Sequence, residues 1–306
     1  MTAAAPTEGR RRRRGGAGYT RKEVLVAYGL LAVPLLGTLL FRILPGLGSF
    51  WLSFTKWNLI TAPEVVGLDN FRRMLDDPLF WKATLNTVYY VGVTVPLVVV
   101  VSLAMALLLN RKIRGLGFFR TVYFLPVVSS MVAVAVMWRW MLNPDYGLVN
   151  AGLAVLGIDG PSWLGDSTWA MPSIILVSVW REVGFYMIIL LAALQGVPRN
   201  LLEAAAIDGA GPWQRFWGVT FPMISPSVFL VSIMALINNF QAFDLMYVMT
   251  EGGPQNATTN LVVYLYQQGF QYFDIGYGSA IALVLFAMIL AVTLVQWRVG
   301  ERRVVY

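Results

Sequence analysis

The sequence predicts an all-α integral membrane protein in which six helices cross the bilayer, and three observations carry that reading. Hydrophobic residues make up 58% of the 306 and charged ones only 13%, more apolar surface than one soluble core of this size can hide. Apolar stretches of about 20 residues, the length that a hydrocarbon core of about 30 Å demands of a helix, recur near 24–44, 86–109, 120–142, 171–194, 224–247 and 277–297. The basic residues gather at alternate connections, as they do on the cytoplasmic side of a membrane.

Residues 1–22 are small or polar with the run Arg10–Arg14. Such a tail buries too little apolar surface to fold and reads as a disordered basic cytoplasmic segment that orients the first span. A cleavable leader is disfavoured because the apolar stretch after Val24 is long and lacks a small-x-small cleavage pattern. Arg111, Lys112, Arg114 and Arg120 follow the second span, and Arg298, Arg302 and Arg303 follow the sixth, whereas 143–170 and 248–276 carry only acidic charges. Both termini are therefore expected in the cytoplasm, with 301–306 as a short cytoplasmic tail. In the outer connection 45–85, Trp51, Phe54 and Trp57 recur at helical spacing, as interfacial aromatics do. A short amphipathic helix is expected after Asp69 or Asn70, and Asp77-Pro78 reads as the cap and first residue of the second span.

The chain has no cysteine and no histidine. Disulfides, thiolate or imidazole metal sites, cysteine nucleophiles and imidazole acid–base catalysis are thereby excluded within it. No Gly-x-x-x-x-Gly-Lys-Ser/Thr loop is present, so the chain does not cradle ATP phosphates in the usual way. The formal charge of +7 is explained by membrane orientation, and nucleic acid is not implied.

Residues 195–223 form the most informative connection. Asn200 followed by Glu203 has the spacing of a capping box, so a short helix carrying Leu201, Leu202 and Ala204–Ala206 is expected to start there. Asp208-Gly209 should end it, and a second short turn should begin at Pro212, with Trp213, Phe216 and Trp217 against membrane or bundle. An alanine face lets another backbone approach closely. Glu203-Ala204-Ala205, three residues, Gly209, nine residues, then Val219-Thr220-Phe221-Pro222 resembles the EAA loop of binding-protein-dependent ABC import permeases, with Val for Ile and Phe for Leu in its closing Ile-x-Leu-Pro. Gly67–Phe71, Asn86-Thr87, Phe124–Pro126, Thr250–Pro254 and Leu265–Phe270 look like the carbohydrate branch of the same family.

That resemblance implies a six-helix permease domain over 23–300 whose coupling helix docks on an ATPase through Glu203, Ala204, Ala205, Asp208, Gly209 and Pro222. It implies two ATPase domains holding ATP and Mg while this chain binds no cofactor, a second permease expected to be a different chain, and an external solute-binding protein. The setting it implies is the cytoplasmic membrane of a prokaryote. A sugar or oligosaccharide is the expected solute and glycerol phosphate or a related polyol phosphate the alternative. A secondary transporter independent of an ATPase would have no use for the alanine elbow.

Charges inside a span are costly unless they face a cavity or a partner. Arg181 and Glu182 in the fourth span, with Tyr186, and Asn238, Asn239, Gln241 and Asp244 in the fifth, are the candidate solute path. Amides and carboxylates suit sugar hydroxyls, and Tyr186 could stack on a sugar face. The open alternatives are ion pairing and interhelical hydrogen bonding within the bundle. Arg139, between Trp138 and Trp140, reads as a snorkelling anchor, and Gly252-Gly253-Pro254 as a turn.

Overall fold

The computed structural model describes residues 20–110 and 115–301. Arg10–Arg14, Arg111, Lys112, Arg114 and the end of the chain from Arg302 lie outside the described residues. The chain divides into two compact units, residues 1–48 and 49–306.

The first unit holds most of α1 (Arg21–Leu52). Thr20 and Glu23 close a capping box at its start, and the run 25–41 that follows carries no charged side chain, which suits a bilayer.

The second unit is helical apart from two short strands, β1 (Thr55–Lys56) and β2 (Glu64–Val65), paired antiparallel with Thr55 opposite Val65. The helical spacing of Trp51, Phe54 and Trp57 does not continue as a helix. Phe54 instead turns onto Phe71, with ring centroids 5.5 Å apart, and Trp57 donates from Nε1 to the Thr61 carbonyl at 2.8 Å. The amphipathic α2 (Asp69–Leu75) forms as expected, and the buried amide of Asn70 anchors it by donating to the carbonyls of Ser53 and Thr55 at 2.9 and 2.8 Å.

α3 (Pro78–Leu109) starts at the expected cap, where the Asp77 carboxylate accepts from Leu79 N–H at 2.9 Å. The expected third span is broken. α4 (Leu116–Val128) and α5 (Met131–Met141) meet at a 99° bend. Ser129 and Ser130 between them are extended, and Pro126 weakens the turn before them by removing a backbone donor. A short helix, α6 (Leu148–Val155), precedes α7 (Ala170–Gln195), which matches the fourth expected span.

α8 (Arg199–Ile207) begins two residues earlier than a cap at Asn200 would place it. Its N-cap is Pro198 and no side chain caps it, so the Asn200–Glu203 capping box does not form. The turn at Pro212 is not separate either, because it opens α9, which runs unbroken from Pro212 to Phe240. Within α9, residues 216–220 form a π-turn. Pro222 has no N–H for the ordinary helical bond and its ring crowds the carbonyl four residues back, so a wider turn accommodates it. Pro226 would likewise leave the Pro222 carbonyl unpaired, and Ser225 Oγ fills that role at 2.8 Å. α9 stops at Phe240 rather than running on to 247; Asp244 starts a new helix, α10 (Asp244–Thr250). Next come α11 (Leu261–Tyr266) and α12 (Ile275–Glu301).

Among the described residues, five helices are long and apolar enough to cross a membrane, or six if α4 and α5 together count as one span. The core has two parts. One gathers Tyr90, Ile174, Met246, Tyr277 and Ile281, and the other Val98, Tyr186, Met187, Ile224 and Val231. α3, α7 and α9 contribute to both.

Candidate functional site

Two places collect the residues singled out by the sequence. The first is a cavity of about 380 Å³ among α3, α4, α5, α7 and the α9–α10 junction. Arg181, Glu182, Tyr186, Asn238, Gln241 and Asp244 all line it. The break after Phe240 brings this about, because it turns Gln241 and Asp244 into the space that Asn238 already faces instead of carrying them around a continuing helix. Asn239 stands behind the wall, 1% exposed, where its Nδ2 donates to Glu182 Oε2 at 3.0 Å and to the Ala235 carbonyl at 2.9 Å. The Glu182 carboxylate is thus steered by a buried amide on the facing helix. Arg181 does not pair with it. Among the described residues the ion pairs are Arg72–Asp69 and Arg73–Asp274, and Arg181 Nε is buried with no partner.

Tyr186 is 1% exposed, its ring set edge-on to Phe185 at 5.3 Å, so it offers no open face for stacking. Its hydroxyl accepts from Asn238 Nδ2 at 3.1 Å. Tyr90 joins the lining and shares a 2.7 Å hydrogen bond with Ser178; sequence reasoning missed both, since a lone Tyr and a Ser in apolar spans give no pattern.

The second place is the elbow. Asp208 ends α8 and Gly209 follows in the left-handed region at φ +80°. Ala210 N–H bonds the Ala205 carbonyl at 2.9 Å and Gly209 N–H the Ala206 carbonyl at 3.1 Å, a complete Schellman closure. Glu203, Ala204, Asp208 and Gly209 are exposed and Ala205 half-buried, while Leu202 packs onto the bundle. Pro222 lies apart from this surface, inside α9 beyond the π-turn. Trp213, Phe216, Trp217 and Phe221 cluster around that π-turn with centroids 4.9–6.3 Å apart.

A third feature was invisible in the sequence. The Asp77 carboxylate accepts from the hydroxyls of both Tyr264 and Tyr277, the latter at 2.6 Å, while Arg73 pairs with Asp274 at 2.6 Å and lies over the Tyr277 ring. Burial pushes the Asp77 carboxyl upward, but the two phenols and the N–H groups of Leu79 and Phe80 outweigh it and hold the group below its ordinary value.

A family model described as the binding-protein-dependent transport system inner membrane component matches residues 78–304. The chain belongs to this family. The permease is 37% identical to the trehalose/maltose transport system permease protein MalF of Thermococcus litoralis, over 92% of this chain and 96% of that one. It is 34% identical to the sn-glycerol-3-phosphate transport system permease protein UgpA of Pectobacterium atrosepticum, over 91% and 95%. A solved bacterial ABC transporter involved in the import of the acidic polysaccharide alginate shares the fold, with a TM-score of 0.81 at 24% identity over 92% of this permease and 96% of that chain.

Proposed function

We propose that this permease forms one side of the solute path of an ATP-driven importer and passes a sugar or oligosaccharide handed over by an external binding protein. The observation that carries the reading is the elbow. No residue of α8 is buried, and Ile207 is 87% exposed, so a helix rigidly closed by a Schellman motif is left without a cover; an ATPase cleft would cover it. The cofactors of the cycle, ATP and Mg, then sit on two partner ATPase domains. A second permease, a different chain, completes the path, and both termini face the cytoplasm. Arg181, Glu182, Tyr186, Asn238, Asn239, Gln241 and Asp244 act as the solute-contacting and positioning groups.

Glycerol phosphate is the second reading, favoured by the unpaired Arg181 in the cavity wall. Against it, Glu182 and Asp244 line the same cavity, so carboxylates outnumber the guanidinium and an uncharged polyhydroxy solute fits better than a dianion. The test is solute-stimulated ATP hydrolysis by the complex in lipid, comparing the native chain with Gly209→Asp and Ala205→Arg. Both variants should bind less ATPase or lose stimulation; uptake with no ATPase bound would overturn the importer reading, and stimulation by glycerol phosphate but not by sugars would overturn the solute.

A further inference from the structure

A second polar cleft, of about 420 Å³, lies at the other end of the α5–α10 pair. Its wall includes Arg139 and Leu142 at the end of α5, Asn143, and Met249 and Glu251 at the end of α10. Arg139 is thus not only an interfacial anchor. Neither Arg139 nor Glu251 belongs to the ion pairs among the described residues. The Asn143 Oδ1 is occupied by the N–H groups of Asp145 and Tyr146 at 2.9 and 3.3 Å, which leaves its NH₂ to the cleft.

The two cavities are in register along α10. Asp244 opens that helix in the wall of the central cavity, and Glu251 closes it in the wall of the outer cleft. Seven residues at 1.5 Å each put the two positions about 10 Å apart along α10. On α5, Met131 lines the central cavity and Leu142, eleven residues later, the outer cleft, about three whole turns apart on one side.

We propose that the outer cleft is a receiving subsite for one unit of a neutral sugar, placed in series with the central cavity; this rests on the importer reading above. Its volume suits a small polar ligand. Arg139, Asn143 and Glu251 supply donors and acceptors for ring hydroxyls, and the opposite charges of Arg139 and Glu251 cancel, which favours an uncharged solute over an anion. Leu164 and Pro254, both half-buried in the cleft wall, supply apolar surface for the C–H face of a pyranose.

Because the chain has no cysteine, single thiols report occupancy directly. Ser162→Cys places one in the outer cleft and Val127→Cys one in the central cavity. Each is assembled with cysteine-free partner chains in lipid, held with a non-hydrolysable ATP analogue, and labelled with a bulky maleimide with or without trehalose or maltotriose. At a solute concentration near ten times its Kd, labelling at both positions should slow about tenfold, and Glu251→Gln should remove the protection at Ser162→Cys while sparing that at Val127→Cys. Protection at Val127→Cys alone overturns the subsite and leaves the importer reading standing. Protection at neither position overturns both. Shielding of Ser162→Cys by sugar-free binding protein as strongly as by the loaded form makes the cleft a protein-docking surface and also overturns the proposal.

Discussion

Gly184→Ala tests the packing that positions the central cavity. Gly184 lies in α7 two residues after Glu182, where α7 meets α4 backbone to backbone. A Cβ at this position would sit 2.8 Å from the Tyr123 carbonyl carbon and 3.2 Å from Phe124 Cα, and closer still to the Tyr123 carbonyl oxygen. Carbon atoms pack at about 3.5–4.0 Å, so the helices must separate by about 1 Å, and what must move is backbone rather than a flexible side chain. Overpacking of that kind costs about 1–3 kcal/mol. The control is Gly92→Ala in α3, where nothing lies within 4 Å of the new Cβ and replacing a mid-helix glycine should stabilise by about 0.5–1 kcal/mol. Thermal unfolding of the purified complex in detergent should place Gly184→Ala several degrees below the native chain and Gly92→Ala at or above it. Solute affinity should also fall for Gly184→Ala, since Arg181, Glu182 and Tyr186 ride on the displaced helix. Equal melting temperatures for the two variants would refute the claim that close α4–α7 contact sets the cavity.

Three further outcomes follow from single contacts. Asn239→Ala should destabilise by about 1–3 kcal/mol, because the Glu182 carboxylate loses its buried donor, and Asn239→Asp more, because it sets a second carboxylate against the first; denaturation of the purified complex ranks them. The Asp77 carboxyl has a folded pKa below its unfolded value near 3.8, so its contribution to stability is fully present above that value and is lost as the pH falls through the folded one. Asp77→Asn should flatten the acid limb of a melting-temperature profile below pH about 4 and leave it unchanged above, while Asp77→Ala also loses the cap, about 1 kcal/mol at neutral pH. Gly209→Val forces a β-branched residue to φ +80° at a cost of about 1–2 kcal/mol, and should loosen the ATPase in co-purification where Gly209→Asn retains it.

The fourth span was legible because nearly everything that defines it is local: an apolar run closed by Gly196 and Pro198. α2 and the Asp77-Pro78 start were readable for the same reason. The broken third span was not, since summed hydropathy passes over Ser129-Ser130 and only backbone geometry shows the 99° bend. The end of α9 at Phe240 was hidden too. The Ala242 carbonyl after it is held by Asn260 Nδ2 at 2.5 Å, from 18 residues away, and the tyrosines on Asp77 come from 187 and 200 residues away. At the elbow, the closing Asp208-Gly209 was readable from chemistry, whereas the start was misplaced because a capping-box spacing at Asn200 competed with Pro198. Residues of the central cavity were named one by one from their cost inside a membrane; their convergence depended on a helix break that no periodicity announces.

In the proposed cycle α9 must carry motion, because its first turns lie beside the elbow and its last hold Asn238 and Asn239. It has 29 residues, about 43 Å of helix at 1.5 Å per residue, more than the hydrocarbon core of about 30 Å. Its weak point is known. Pro222 and Pro226 each remove a backbone hydrogen bond, and the π-turn just before them is less tightly wound than the helix on either side. From Ile224 onward Val231, Ala235 and Leu236 are buried, so that part moves as a unit with the core or not at all. A displacement at α8 therefore reaches the cavity only if the π-turn does not absorb it, and the ring cluster of Trp213, Phe216, Trp217 and Phe221 packs around that turn and braces it. The same aromatics that composition assigns to the membrane surface are thus the stiffening that lets an elbow at one end of α9 reorient two asparagines at the other.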